Sequence, residues 1–128
     1  MALRNSLKVM VVDDMSTSRA IITQCLDEIG VPHYTTENSG ENAIRKLSQA
    51  PVHLVLSDYN MPGMDGLQLL RALRQSKLTQ QIGFILVTGK ATPELVKLGQ
   101  QYGLNNLIKK PFTTDGLKNC IERVVGVL

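Results

Sequence analysis

The sequence predicts an α/β protein, a doubly wound parallel sheet of five strands carrying five helices. Apolar runs of strand length alternate with helical patterns along all 128 residues. The clearest runs are continuous, as expected of strands buried on both faces. No linker, repeat or low-complexity segment interrupts the alternation, which implies right-handed crossovers within one sheet. The length and the 43% apolar content suit a single domain spanning residues 1–128 with one core.

Leu7–Val12 is the first strand, a short apolar block. Ser16–Ile29 follows as a helix with Ile22, Cys25, Leu26 and Ile29 at helical spacing, and Gly30 is its stop. After Pro32, His33–Thr36 is a short second strand. Gly40–Gln49 places Ala43, Ile44 and Leu47 on one side of a helix, with Pro51 as a breaker beyond it. Val52–Ser57 is the third strand, and Asp58–Asp65, rich in Asn, Pro and Gly, is a loop. Gly66–Gln75 repeats the helical period through Leu67, Leu70 and Leu73, and Ile82–Val87 is the fourth strand. Thr92-Pro93 supplies a cap and a proline at the first helical position of a helix that runs to about Tyr102 and ends at Gly103. Asn106–Lys109 is the fifth strand. Thr113 to about Val125 is the last helix, with Leu117, Ile121, Val124 and Val125 inward.

Several function classes are disfavoured. Fourteen Lys and Arg against eleven Asp and Glu give a net charge of +3, and the basic residues are scattered. With no Trp, two Phe and three Tyr there is no stacking platform for single strands, so no nucleic-acid partner is expected. The longest apolar runs, Val9–Val12 and Phe84–Val87, are too short to span a bilayer, and Met1–Ser6 holds no signal-peptide core. The expectation is a cytoplasmic monomer without membrane insertion. Cys25 and Cys120 lie in apolar helical patterns and read as buried, reduced thiols; His33 and His53 lack ligand partners at useful spacing, so no zinc site is expected.

In open α/β sheets, ligands bind beyond the carboxyl ends of the strands. Asp13 and Asp14 follow the first strand, Asp58 the third and Thr88 the fourth, and Lys109-Lys110-Pro111 ends the fifth. Each Asp alone could be a helix cap or a turn former. Together they bring three carboxylates, a hydroxyl and an ammonium to one sheet edge. Crowded carboxylates raise one another's pKa or recruit a cation, and oxygen ligands select a hard ion such as Mg²⁺. A carboxylate beside such an ion is a competent nucleophile toward phosphorus. Asp58 is the candidate nucleophile because it follows the central strand, Asp13 and Asp14 would hold the ion, and Lys110 would serve the phosphoryl group. Glycine-rich phosphate loops are absent, which argues against nucleotide binding.

Four segments carry a resemblance: Val-Val-Asp-Asp-Met-Ser-Thr-Ser-Arg at 11–19, Ser-Asp-Tyr-Asn-Met-Pro-Gly-Met-Asp-Gly at 57–66, Val-Thr-Gly at 87–89 and Lys-Lys-Pro-Phe-Thr at 109–113. In this order and spacing they resemble the CheY-like receiver domains of two-component signalling, the stand-alone chemotaxis members above all. The resemblance implies the flavodoxin-like strand order 2-1-3-4-5. It implies that Asp58 is the phosphoacceptor, fed by a histidine kinase of the chemotaxis type. Asp13 or Asp14 and Asp58 would bind Mg²⁺ through side chains, and Asn60 through its backbone carbonyl. Lys110 would pair with the phosphoryl oxygens through a cis peptide to Pro111. Thr88 would swing its hydroxyl onto the phosphoryl group, shifting the fourth-helix, fifth-strand, fifth-helix face toward an output partner such as a flagellar motor switch protein.

At one place the sequence departs from the family. Leu107 stands where an aromatic residue or His is usual, which either argues against motor binding of the usual kind and a large switch or is merely packing of an edge strand. Lys90, two residues past Thr88, is either a solvated lysine or an ammonium that obstructs attacking water. On the second reading Lys90→Ala loses phosphate faster than the wild type, and equal or slower loss in the variant contradicts it. Because the chain starts with Met and its last helix nearly reaches Leu128, a complete single-domain regulator is expected, with no enzyme activity beyond gaining and losing its own phosphoryl group. The alternatives are a phosphate sink and a phosphatase of the haloacid dehalogenase kind. The latter places D-x-D after its first strand, where this chain has adjacent Asp13-Asp14.

Overall fold

Period-two alternation on the central strands determines which residues meet across the sheet. In the computed structural model, which describes residues 3–128, β1 (Lys8–Val12), β2 (His33–Glu37), β3 (Leu54–Asp58), β4 (Gly83–Thr88) and β5 (Asn106–Lys109) form one parallel sheet in the order β2-β1-β3-β4-β5. Val9 and Val11 of β1, Leu54 and Leu56 of β3 and Ile85 of β4 face one side. There they meet Ile22, Cys25, Leu26, Leu117 and Ile121 of α2 (Ser16–Ile29) and α6 (Thr114–Val125). Met10, Val12, Val55, Phe84 and Leu86 face the other side. They meet α3 (Gly40–Gln49), α4 (Gly66–Arg74) and α5 (Pro93–Gln101) through Ala43, Leu47, Leu67, Leu70, Leu73 and Leu95. All five residues of β3 are buried, whereas β2 and β5 form the partly exposed edges. Continuous apolar runs therefore mark the centre of the sheet, and polar His-Tyr-Thr-Thr-Glu marks an edge.

The helices start and stop where local chemistry dictates. Ser39, Asp65, Thr92 and Thr113 each accept a backbone N–H from the third residue beyond, and Gln68 completes a capping box with Asp65. Gly30, at φ 92°, ends α2 in the left-handed region, its N–H bonded to Leu26 O and Asp27 O. The predicted count of five helices needs correction. A single turn, α1 (Leu3–Ser6), precedes β1, making six among the described residues. Four residues are too few to display a 3.6-residue period, so nothing in the hydrophobic pattern could reveal it. The face predicted as fourth helix, fifth strand and fifth helix is accordingly α5, β5 and α6.

Arg74 ties the end of α4 to two loops. Its guanidinium donates to Gly103 O, Gln80 O and Ile82 O and to Asn105 Oδ1, which also accepts the Phe84 N–H. Asn105 thus joins β4, α4 and the entry to β5. Cys25 and Cys120 are buried free thiols, in line with the sequence reading. Among the described residues no helix is long and apolar enough to cross a membrane.

Candidate functional site

Parallel strands end on one edge of the sheet, so residues distant in sequence meet there. Asp13 follows β1, Asp58 is the last residue of β3, Thr88 the last of β4, and Lys110 follows β5. Carboxylate oxygens of Asp13, Asp14 and Asp58 lie within 4.8 Å of one another. Lys110 Nζ donates to Asp58 Oδ1 at 2.9 Å and stands 3.9 Å from Asp13 Oδ2. The Lys110-Pro111 peptide is cis.

Asp13 divides its two oxygens between a structural and an open role. Oδ1 accepts the Met15 N–H at 3.0 Å, an Asx turn that aims the carboxylate and leads into α2. Arg19 donates to Asp13 O at 2.7 Å and fixes the backbone. Oδ2 is buried without a hydrogen-bond partner. The side chain is 0% exposed, and a bare carboxylate oxygen in that position is costly unless a cation meets it. Asp14, by contrast, is exposed. The turn-former reading thus holds for one oxygen of Asp13 and fails for the other.

Asp58 has its pKa raised above the ordinary carboxylate range. Burial is the main cause, and repulsion from Asp13 and Asp14 adds to it, while the hydrogen bond and charge of Lys110 oppose it. Three carboxylates against one ammonium leave a deficit of positive charge that a divalent ion would fill. The donor set is all oxygen and includes the unpartnered Asp13 Oδ2, so these residues fit a hard cation such as Mg²⁺.

Thr88, buried at the end of β4, holds the loop that follows it: its hydroxyl donates to Lys90 O at 3.1 Å and accepts the Lys90 N–H at 3.2 Å. Lys90 is exposed, and its recorded bonds to Thr88 run through its backbone. Asn60 sits on the exposed loop two residues past Asp58. Leu107 pairs in register with Leu86 and packs, half-buried, against the α4 and α5 side of the core. Two residues of the site escaped sequence reasoning. Ser18 Oγ accepts from Lys110 Nζ at 3.2 Å. Gly66 lies so close to the strand end that a Cβ there would stand 2.5 Å from Asp58 O. Ser18 lay within a recognised motif, but its side-chain direction cannot be read from a string of small polar residues.

A family model for the response regulator receiver domain matches residues 9–122. A Rhizobium etli protein named "Probable chemotaxis protein CheY" is 38% identical over 128 residues, covering 100% of this chain and 99% of that one. The solved structure of Vibrio cholerae chemotaxis protein CheY4 superposes with a TM-score of 0.86 at 28% identity, covering 92% of this chain and 98% of that one. The receiver domain of the histidine kinase CKI1 from Arabidopsis thaliana, solved complexed with Mg²⁺, superposes with a TM-score of 0.81 at 25% identity, covering 92% and 91%.

Proposed function

From the premise that the chain belongs to the response regulator receiver domains, we propose that it is a chemotaxis-type response regulator that takes a phosphoryl group from a histidine kinase onto Asp58. The observation that carries this reading is the Lys110–Asp58 contact of 2.9 Å beside carboxylates that all lie within 4.8 Å. Asp58 attacks phosphorus through a carboxylate oxygen, a P–O bond forms, and the P–N bond of the phosphohistidine breaks with its electron pair returning to the imidazole. Asp13, Asp14, Asp58 and the backbone carbonyl of Asn60 would hold Mg²⁺. When bound, that ion neutralises charge on the carboxylates and the phosphoryl oxygens. Lys110 pairs with a phosphoryl oxygen once the attacking carboxylate has lost its charge to the new P–O bond.

Thr88 links this chemistry to the surface. Its hydroxyl carries one proton, now donated to Lys90 O. Turning that proton onto a phosphoryl oxygen releases the Lys90 carbonyl and frees the loop leading to α5. The contact exists only in the phosphorylated protein, so phosphorylation shifts the population of the α5-β5-α6 face toward a partner-binding form. Lys90 lies in this loop and is exposed, and the comparison of Lys90→Ala with the wild type tests its reading as a brake on attacking water.

Leu107 favours a second reading, a phosphate sink. An aliphatic side chain packed against the core offers no ring to expose or bury as the face changes. Capture experiments with protein charged by beryllofluoride, against an Asp58→Asn control, separate the two. A motor or other output protein retained only by the charged form is the expected result. Capture of the kinase alone would instead assign a sink.

A further inference from the structure

Lys110 is held from two sides. Its ammonium donates to Asp58 Oδ1 at 2.9 Å on β3 and to Ser18 Oγ at 3.2 Å on α2. The second contact joins residues 92 apart in sequence, and Ser18 is the only uncharged side-chain partner of Lys110 among the described residues. Beside it lies a cavity of about 350 Å³ lined by Ser18, Ile21, Ile22, Lys110, Pro111 and Phe112. The Lys110 side chain is 32% exposed. An ammonium on a flexible four-carbon stem next to open space has two other places to go. It can swing out into the cavity, or it can fall fully among the carboxylates and compete there with any other cation.

We propose that Ser18 is a positioning residue for phosphoryl uptake: its hydroxyl fixes Lys110 at the rim of the carboxylate cluster, hydrogen-bonded to Oδ1 of Asp58. The proposal rests on the reading of Asp58 as phosphoacceptor. The division of labour follows from geometry. With Lys110 drawn toward α2, its hydrogen bond to Asp58 goes to Oδ1, and Asp58 Oδ2 is left as the nucleophile. After transfer the same anchor keeps the ammonium where it reaches a phosphoryl oxygen. A serine suits this task because it accepts the bond without adding a charge that would repel the incoming phosphoryl group. Ser18 stands third in α2, a helix seated on the sheet through Ile22, Leu26 and Ile29, so the hydroxyl rests on a rigid support.

The test combines kinetics with a readout that needs neither metal nor phosphodonor. Uptake from acetyl phosphate in Mg²⁺ should slow by about three- to tenfold in Ser18→Ala, the range of one lost hydrogen bond of ordinary strength. Ser18→Thr, which keeps the hydroxyl, should stay near the wild-type rate. In a Lys110→Met background, Ser18→Ala should change the residual rate no further, because the serine acts through the lysine. In Mg²⁺-free protein, the ¹³C-labelled ε-methylene of Lys110 should shift in Ser18→Ala and not in Ser18→Thr. Wild-type uptake by Ser18→Ala, or the same slowing with and without Lys110, would overturn the assignment. If the wild type itself took up no phosphoryl group, the reading of Asp58 would fall, and the ε-methylene signal would still decide whether Ser18 holds Lys110.

Discussion

Gly66→Ala is expected to lose about 3 kcal/mol of stability, the upper end of overpacking effects, and most of its capacity for phosphorylation. Gly66 opens α4 directly beneath the end of β3, and its N–H donates to Tyr59 O at 2.9 Å. A Cβ at this position would stand 2.5 Å from Asp58 O, 2.7 Å from Leu86 Cδ1 and 3.0 Å from Tyr59 Cα. Two of these three atoms are backbone, so no rotamer change relieves the clash. Either α4 lifts from a core that includes the fully buried Leu69 and Leu70, or the strand end carrying Asp58 moves. Both outcomes lower the melting temperature, by roughly 10 °C for a domain of this size, and the second misplaces the nucleophile. Gly89→Ala is the control, because a Cβ there meets nothing within 4 Å and should leave the melting temperature unchanged. Thermal denaturation of both variants checks the expectation. A Gly66→Ala protein that melts with the wild type would contradict it.

In Mg²⁺-free buffer Asp58→Asn is expected to be more stable than the wild type. Burial and the charges of Asp13 and Asp14 raise the Asp58 pKa despite Lys110, so the ionised form is disfavoured in the folded protein. A raised carboxylate pKa means that the folded state binds more protons than the unfolded state between the ordinary value and the raised one. Wild-type stability therefore falls as pH rises through that window and is lowest above it. Asn has no such charge. The variant should melt above the wild type near pH 7, each 1 kcal/mol of lost repulsion being worth roughly 3 °C or more at this length. The gap should close as the pH drops below the ordinary carboxylate range, where Asp58 is protonated in both states. Saturating Mg²⁺ should reverse the order: an ion at 100 times its Kd adds about 2.7 kcal/mol to the protein that binds it, and the variant lacks one ligand. Melting curves at several pH values, with and without Mg²⁺, read all three effects. A wild type that is more stable than Asp58→Asn in metal-free buffer at neutral pH would contradict the charge argument.

The sheet and the gathering of the candidate residues at one edge could be read from the chain because both depend on one-dimensional patterns. Central strands need apolar residues on both faces, so β1, β3 and β4 stood out. Their carboxyl ends then placed Asp13, Asp58 and Thr88 on a common edge. Asp14 and Lys110 came with them as neighbours of strand ends. What stayed hidden depends on direction in space. The one-turn α1 has no period to detect. Ser18 and its neighbours Ser16 and Thr17 look alike in sequence, and only the twist of α2 over the sheet chooses the one that meets Lys110. The closeness of Gly66 to Asp58 arises from a chain reversal between them, which the intervening Asn-Met-Pro-Gly suggests but does not locate. Leu107, atypical for the family by its sequence, pairs with Leu86 and packs half-buried against the core.

The unequal fates of the two Asp13 oxygens connect fold to chemistry. One is spent on turning the chain into α2, and the other is left buried and unpartnered beside the nucleophile. Folding thus leaves a charge deficit where the proposed reaction needs a cation, and the stability gained elsewhere in the core carries that cost.

The most direct test is to incubate the protein with acetyl phosphate and Mg²⁺, then locate any adduct by mass spectrometry of proteolytic peptides. The account predicts one phosphoryl group per chain, labile to alkali as an acyl phosphate is, on the peptide holding Asp58, formed only with Mg²⁺ and absent from Asp58→Asn. A folded wild-type sample that gains no such group, or gains it equally in Asp58→Asn, would contradict the account.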